Sequence, residues 1–103
     1  MSSKNGLSAH DRKFILSVLE NLLPAGSQAY FFGSRMNSTF SEGSDLDLLI
    51  AANAPIGLDV IAKIRDMFEE SDLPFKVDIL DNSSLTPSMR QNIMKHAALV
   101  LQK

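Results

Sequence analysis

Two aspartates stand at the start of a stretch that otherwise has the composition of a buried strand, and this stretch constrains the fold more than any other. Asp45 and Asp47 lead into the apolar residues 48–51, Leu-Leu-Ile-Ala. Because side chains alternate between the two faces of a strand, both carboxylates point to the same face. Like charges that close repel each other unless a proton or a cation lies between them. The pattern therefore predicts a strand whose first residues bind a cation.

A second apolar run precedes this strand and ends in a Gly-Ser turn. Residues 29–32, Ala-Tyr-Phe-Phe, favour a buried strand, and Gly33 and Ser34 follow directly. Backbone N–H groups in such a turn can come close to a phosphate, and the serine hydroxyl can add a hydrogen bond. Carboxylates bind Mg²⁺, which takes its remaining ligands from water and substrate phosphates. Together the two stretches predict a metal–triphosphate site and favour phosphoryl or nucleotidyl transfer.

The joint pattern resembles a known signature. Gly33-Ser34, then ten residues, then Asp45-Leu46-Asp47 resembles the motif of the DNA polymerase beta superfamily of nucleotidyltransferases, above all its small stand-alone members, the minimal nucleotidyltransferases or MNT antitoxins. The family needs a third carboxylate on a neighbouring strand, and Asp78 matches it. The resemblance covers roughly residues 28–81. One departure is that Asn37 and Ser38 stand where minimal members often have Arg-Gly, which removes basic charge near the phosphates.

The resemblance implies a role for each motif residue. The carboxylates expected to act in catalysis and to hold two Mg²⁺ ions are Asp45, Asp47 and Asp78. Asp78 would also take the proton of the acceptor hydroxyl. Gly33 and Ser34 would bind the phosphates of ATP or another NTP, and Arg35 is a candidate phosphate or partner contact, although an exposed salt-bridging arginine fits equally well. The acceptor would be a tyrosine of a HEPN-type helical partner, neutralised by AMP transfer within a toxin–antitoxin pair.

Two other classes of function stay open at this point. A non-catalytic binding module would neutralise a HEPN partner by contact alone. A nucleotide-sensing subunit would bind Mg–NTP without releasing pyrophosphate. Transfer to a small molecule is the least favoured, because a chain of 103 residues leaves no room for an acceptor pocket. The acceptor surface would instead come from a partner protein or from a second copy of this chain in a homo-oligomer.

Length, net charge and cysteine content further restrict the kind of protein that we expect. With 103 residues we expect one nucleotidyltransferase domain over residues 1–103, flexible over residues 1–8. The net charge is −2 and the basic residues are scattered, which argues against a long nucleic-acid track. The absence of cysteine excludes disulfides and zinc–thiolate sites. We find no leader and no apolar run near the ~20 residues of a membrane span, and therefore expect a soluble, cytoplasmic protein.

Periodicity and capping signals predict the remaining elements. Ser8 is expected to cap a helix over residues 9–23, and Thr86 and Pro87 to begin a helix that continues to the end of the chain. A further helix is predicted over residues 58–71 and a strand over 75–80, with Asp81 as a turn or cap residue. The predicted fold class is a small α/β (α+β) polymerase-beta-like domain. It has a mixed sheet of three or four strands flanked by helices that pack mainly on one face.

Overall fold

The computed structural model describes residues 8–32, 45–53 and 56–103. Their elements follow one another along the chain as helix α1 (Ala9–Leu22), strand β1 (Gln28–Phe32), strand β2 (Leu46–Ala51), helix α2 (Leu58–Glu69), strand β3 (Val77–Asp81), a short 3₁₀ turn (Asn82–Ser84), helix α3 (Pro87–Met94) and strand β4 (Ala98–Gln102). Among these helices, none is long and apolar enough to cross a membrane.

The strands form one mixed sheet with the order β3-β2-β1-β4. β1 is antiparallel to both of its neighbours, whereas β2 and β3 are parallel. Parallel neighbours need a crossover connection, and α2 supplies it between β2 and β3. The predicted mixed sheet flanked by helices is therefore confirmed.

A single hydrophobic core lies between one face of this sheet and the helices. The strand residues that face it alternate along each strand, as expected for side chains with a period of two. They are Ala29, Phe31, Leu46, Leu48, Ile50 and Val77. α1 contributes Ile15 and Leu19 at zero exposure, and α2 contributes Ile64. These helices cover the same face, and the other face of β2 carries Asp47 and the buried Leu49.

The predicted capping residues are confirmed. The Asp11 N–H donates to Ser8 Oγ at 3.0 Å at the start of α1. At the start of α3 the Met89 N–H donates to Thr86 Oγ1 at 3.2 Å, with Pro87 in the first helical turn. Asp81 caps the 3₁₀ turn by accepting from the Ser83 N–H at 3.0 Å.

The prediction of a continuous C-terminal helix is wrong. α3 ends at Met94, and residues 98–102 form β4, which pairs antiparallel with β1. Leu99, Val100 and Leu101 are consecutive apolar residues, and three in a row cannot all lie on one face of a helix. As a strand, they satisfy the backbone groups on the side of β1 that does not face β2. Long-range pairing thus overrode the local apolar spacing.

Candidate active site

The predicted carboxylates Asp47 and Asp78 lie near one end of the sheet. β2 and β3 run parallel, so their first residues are neighbours, and β1 runs the opposite way, so its last residue lies beside them. Phe32, the end of β1, pairs with Asp47 near the start of β2. The chain continues from Phe32 into residues 33–44, which lie outside the described residues. The predicted phosphate-binding residues Gly33, Ser34 and Arg35, and the departures Asn37 and Ser38, belong to that segment.

Asp47 and Asp78 are direct partners in the register of β2 and β3. Asp45 lies directly before β2, close enough to Asp47 for its charge to act on the Asp47 carboxyl group. The residues between and after them, Leu46 and Leu48, point the other way into the core at zero exposure. The topology thus places Asp47 and Asp78 side by side on the face of the sheet away from the core, with Asp45 just before β2.

Their charges act on each other. The pKa of Asp47 is raised, first because the carboxyl group is partly buried, then because Asp78 and Asp45 place negative charges near it. Each effect disfavours the ionised form of the carboxyl group. A cation bound among these side chains would offset the repulsion, so this electrostatic arrangement favours binding of a positive ion.

The donor set suits Mg²⁺ in its chemistry, because carboxylate oxygens are the hard ligands that this ion prefers. In the described part of the chain, no group of three or more His, Cys, Asp or Glu side chains is placed so that it could hold a metal ion. Magnesium usually keeps several waters and binds through one or two carboxylates together with substrate phosphates. The residues therefore fit a metal that arrives with its nucleotide better than a metal held in a ready protein cage.

A cleft of about 780 Å³ borders Asp78 along β3, and we call it the β3 cleft. None of its lining residues comes from β1 or β2. They include Arg65, Phe68 and Glu69 from α2, Phe75 and Lys76 from the segment that leads into β3, and Asp78 from β3 itself. From the sequence, Arg65, Glu69 and Lys76 were assigned to no site. The spacing of Lys76 and Asp78, two residues apart in an extended segment, is the signal that was missed.

Another cleft, of about 400 Å³, lies between the start of α1 and the end of α2. It contains none of the aspartates that the sequence predicted for the site. Its lining is therefore set apart from the chemistry of the carboxylates.

Comparison with known proteins identifies the family. The family model described as "Polymerase beta, Nucleotidyltransferase" matches residues 15–103. This range contains every motif residue that the sequence singled out. The match confirms the resemblance and the nucleotidyltransferase class.

Similar proteins and structures agree with this family. The "Probable protein adenylyltransferase MntA" of Haemophilus influenzae is 29% identical over 97 residues, which are 94% of this chain and 84% of that protein. A crystal structure of a toxin–antitoxin with AMP-PNP has a TM-score of 0.76 at 20% identity, with 90% of this chain and 74% of that chain covered. A complex of the MNT antitoxin with a tri-AMPylated HEPN toxin from Shewanella oneidensis has a TM-score of 0.68 at 18% identity, with 89% and 70% covered. At these identities the structural likeness establishes the fold.

Proposed function

The chain belongs to the polymerase beta nucleotidyltransferase family, and from this premise we propose that it transfers AMP from ATP to a hydroxyl group of a HEPN-type partner protein, as the antitoxin of a toxin–antitoxin pair. The observation that carries the proposal is the pairing of Asp47 with Asp78 beside the end of β1. The choice of AMP and of a HEPN-type acceptor is supported by the adenylyltransferase relative and by the AMPylated HEPN complex.

The proposed metal ligands are Asp45, Asp47 and Asp78, which would hold two Mg²⁺ ions together with the triphosphate. Magnesium bound there supplies neutralisation of negative charge on the phosphates and on the attacking and leaving oxygens. Gly33 and Ser34 are proposed to bind the β- and γ-phosphates and Arg35 to contact a phosphate or the partner; these assignments rest on the sequence motif.

The proposed reaction joins the acceptor oxygen to the α-phosphorus of ATP. As this bond forms, the bond from the α-phosphorus to the oxygen that bridges to the β-phosphate breaks, and pyrophosphate leaves with that electron pair. The acceptor hydroxyl gives its proton to the carboxylate of Asp78, which is exposed and therefore within reach of an incoming group. The products are an AMP ester of the acceptor and pyrophosphate.

Three further parts of the proposal rest on the sequence. They are the organisation of residues 1–103 as one domain, a cytoplasmic location and the capacity to form homo-oligomers. Flexibility was predicted for residues 1–8; of these, residues 1–7 lie outside the described residues, and Ser8 caps α1.

The test incubates the purified protein with its genomic-neighbour protein, Mg²⁺ and ATP, and then measures the intact mass of both chains. We expect the neighbour to gain AMP, and EDTA to abolish the gain. Asp45→Asn and Asp47→Asn should each lower the transfer rate at least ~100-fold, because each removes a carboxylate from the charge-binding site. Asp66→Asn is the matched control, since this exposed carboxylate of α2 lies in neither the site nor the β3 cleft.

A contact-only antitoxin is the alternative that this experiment separates. It would form a stable complex with the neighbour without any gain of mass, and Asp45→Asn would still neutralise the partner. A nucleotide sensor would bind Mg–ATP without releasing pyrophosphate. Either result would overturn the proposed transfer.

A further inference from the structure

We propose that the β3 cleft binds an extended polypeptide segment of the acceptor protein, which pairs with the outer edge of β3 and brings its hydroxyl side chain to Asp78. This inference rests on the proposed function and specifies how its acceptor is bound. It assigns Arg65 and Lys76, which the transfer chemistry itself does not use, to recognition of that segment.

The order of the strands sets the direction from which the acceptor arrives. Gly33 and Ser34, the proposed phosphate-binding residues, follow β1 directly in the sequence, Asp47 lies on β2, and Asp78 lies on β3. In an in-line displacement, the attacking oxygen and the leaving group stand on opposite sides of the α-phosphorus. With the leaving pyrophosphate on the β1 side, the attacking hydroxyl comes from the β3 side. The β3 cleft is the cavity on that side that Asp78 lines.

The outer edge of β3 offers backbone groups to such a segment. The Leu46 N–H donates to the Lys76 carbonyl at 2.8 Å, which fixes the phase of the parallel ladder between β2 and β3. In this ladder successive residues face opposite sides, so the N–H and C=O groups of Val77 and Ile79 point away from β2. Of the strands in the described residues, none lies beyond β3. An extended peptide can pair with a strand edge of this kind and present alternate side chains to the cleft.

The lining of the cleft suits a polypeptide better than a second polyphosphate. Arg65 and Lys76 are cationic, but Glu69 and Asp78 place carboxylates in the same cleft, and Phe68 and Phe75 add aromatic surface. A phosphate or nucleic-acid site would concentrate cations instead. The volume of about 780 Å³ lies within the range of roughly 300–1,000 Å³ typical of ligand clefts. Such a volume accommodates several residues of a chain.

The first test separates acceptor binding from nucleotide binding. Arg65→Glu reverses a cleft charge at a distance from the predicted metal ligands, and Lys63→Glu makes the same change on the same helix outside the cleft. With the genomic-neighbour protein as acceptor, we expect Arg65→Glu to raise the KM for the acceptor roughly fivefold. The KM for ATP should change by less than about twofold. Lys76→Gln should also raise the KM for the acceptor. Lys63→Glu should leave the KM for the acceptor and the KM for ATP within about twofold of wild type.

The second test locates the bound segment without relying on turnover. Amide hydrogen exchange is measured by NMR in the Asp47→Asn variant, with and without the neighbour protein. We expect the amides of Val77 and Ile79 to exchange more slowly in the complex. The amides of β4, at the opposite edge of the same sheet, should keep their rates and act as an internal control.

The outcomes distinguish this inference from the proposed function. Wild-type transfer of AMP together with an unchanged acceptor KM in Arg65→Glu and Lys76→Gln would overturn the inference and leave the proposed function standing. Protection of β4 instead of β3 would also overturn it. If the wild-type protein transferred no AMP to its neighbour, the proposed function would fall, and the assignment of the cleft to that acceptor would fall with it.

Discussion

Asp47 lies where burial and neighbouring charge act on the same carboxyl group, and both raise its pKa. An aspartate in an unfolded chain has a pKa of about 3.9. Because the folded-state pKa is higher, the group contributes stability that is full below the unfolded pKa and is lost as the pH rises through the folded pKa. At neutral pH, the ionised Asp47 therefore lowers the free energy of unfolding, which is a cost that a bound cation would offset.

We expect Asp47→Asn to be more stable than the wild-type protein at pH 7 when EDTA is present. The amide keeps the shape of the side chain but removes the charge that burial, Asp78 and Asp45 disfavour. Since 1 kcal/mol changes Tm by roughly 4–8 °C in a domain of this size, the gain should be a few degrees. Thermal unfolding from pH 3 to pH 8 measures it, and the difference should shrink toward zero below about pH 4 as the wild-type carboxyl becomes protonated.

Asp66→Asn is again the control, and its Tm should follow that of the wild-type protein across this range. A lower Tm for Asp47→Asn at pH 7 would contradict the prediction. It would mean that hydrogen bonds to the ionised carboxylate stabilise the fold by more than burial and repulsion destabilise it.

Among the secondary-structure elements, β4 extends the sheet and also places a lysine at the end of α1. The Lys103 ammonium, just beyond β4, donates to the carbonyl oxygens of Glu20 and Leu23, each at 2.6 Å. These carbonyls belong to the C-terminal end of α1, whose last turn contains no basic residue of its own. The final carbonyls of a helix have no partner within the helix, and the helix dipole favours a cation near them. A residue about 80 positions later thus completes the end of α1.

Lys103→Met should therefore destabilise the protein by about 1 kcal/mol, because it keeps the aliphatic chain but removes the charged donor. Lys63→Met is the matched control, since Lys63 is exposed in the middle of α2 and should change stability by less than about 0.5 kcal/mol. Urea unfolding followed by circular dichroism measures both. Equal stability of Lys103→Met and wild type would show that water satisfies these carbonyls equally well.

At the scale of the whole molecule, one core joins both long helices to the sheet. Phe14 of α1 and Phe68 of α2 meet edge to face, with ring centroids 6.4 Å apart. Phe31 of β1 belongs to the same core at zero exposure, and the Arg12 guanidinium lies 5.6 Å from its ring centroid. Since a single cluster contains residues of α1, α2, β1, β2 and β3, we expect these elements to unfold together.

Two substitutions in α2 test this expectation. Ile64→Ala removes a side chain at zero exposure and should cost about 2–5 kcal/mol, because the transfer and cavity terms add. Leu58→Ala changes a side chain that is 85% exposed and should cost less than about 0.5 kcal/mol. Urea unfolding followed by both circular dichroism and tyrosine fluorescence should give coincident transitions. Separate transitions would contradict a single cooperative unit.

Features that depend on residues close together in the chain could be predicted from the sequence. Alternation along an extended chain was enough to predict Asp45 and Asp47 on one face. Side-chain oxygens three residues ahead of an N–H were enough to identify Ser8 and Thr86 as caps. The fold class and the family also followed, because local pattern and motif spacing agree. The roles of Gly33, Ser34 and Arg35 stay predictions, since they lie outside the described residues.

Features that depend on pairing between distant residues are seen only in the folded structure. The strand order makes Asp78 the partner of Asp47, converts residues 98–102 from a predicted helix into β4, and leaves an edge of β3 beside the cleft. The motif had predicted Asp78 on a neighbouring strand. Its register partner, the pairing of β4 and the edge position of β3 were not readable from the sequence, because a strand gains its hydrogen bonds from another part of the chain. The backbone hydrogen bonds that pair β4 with β1 also bring Lys103 close to the end of α1. The carboxylate residues could thus be predicted from the local sequence, whereas their neighbours in the fold depend on long-range hydrogen bonding.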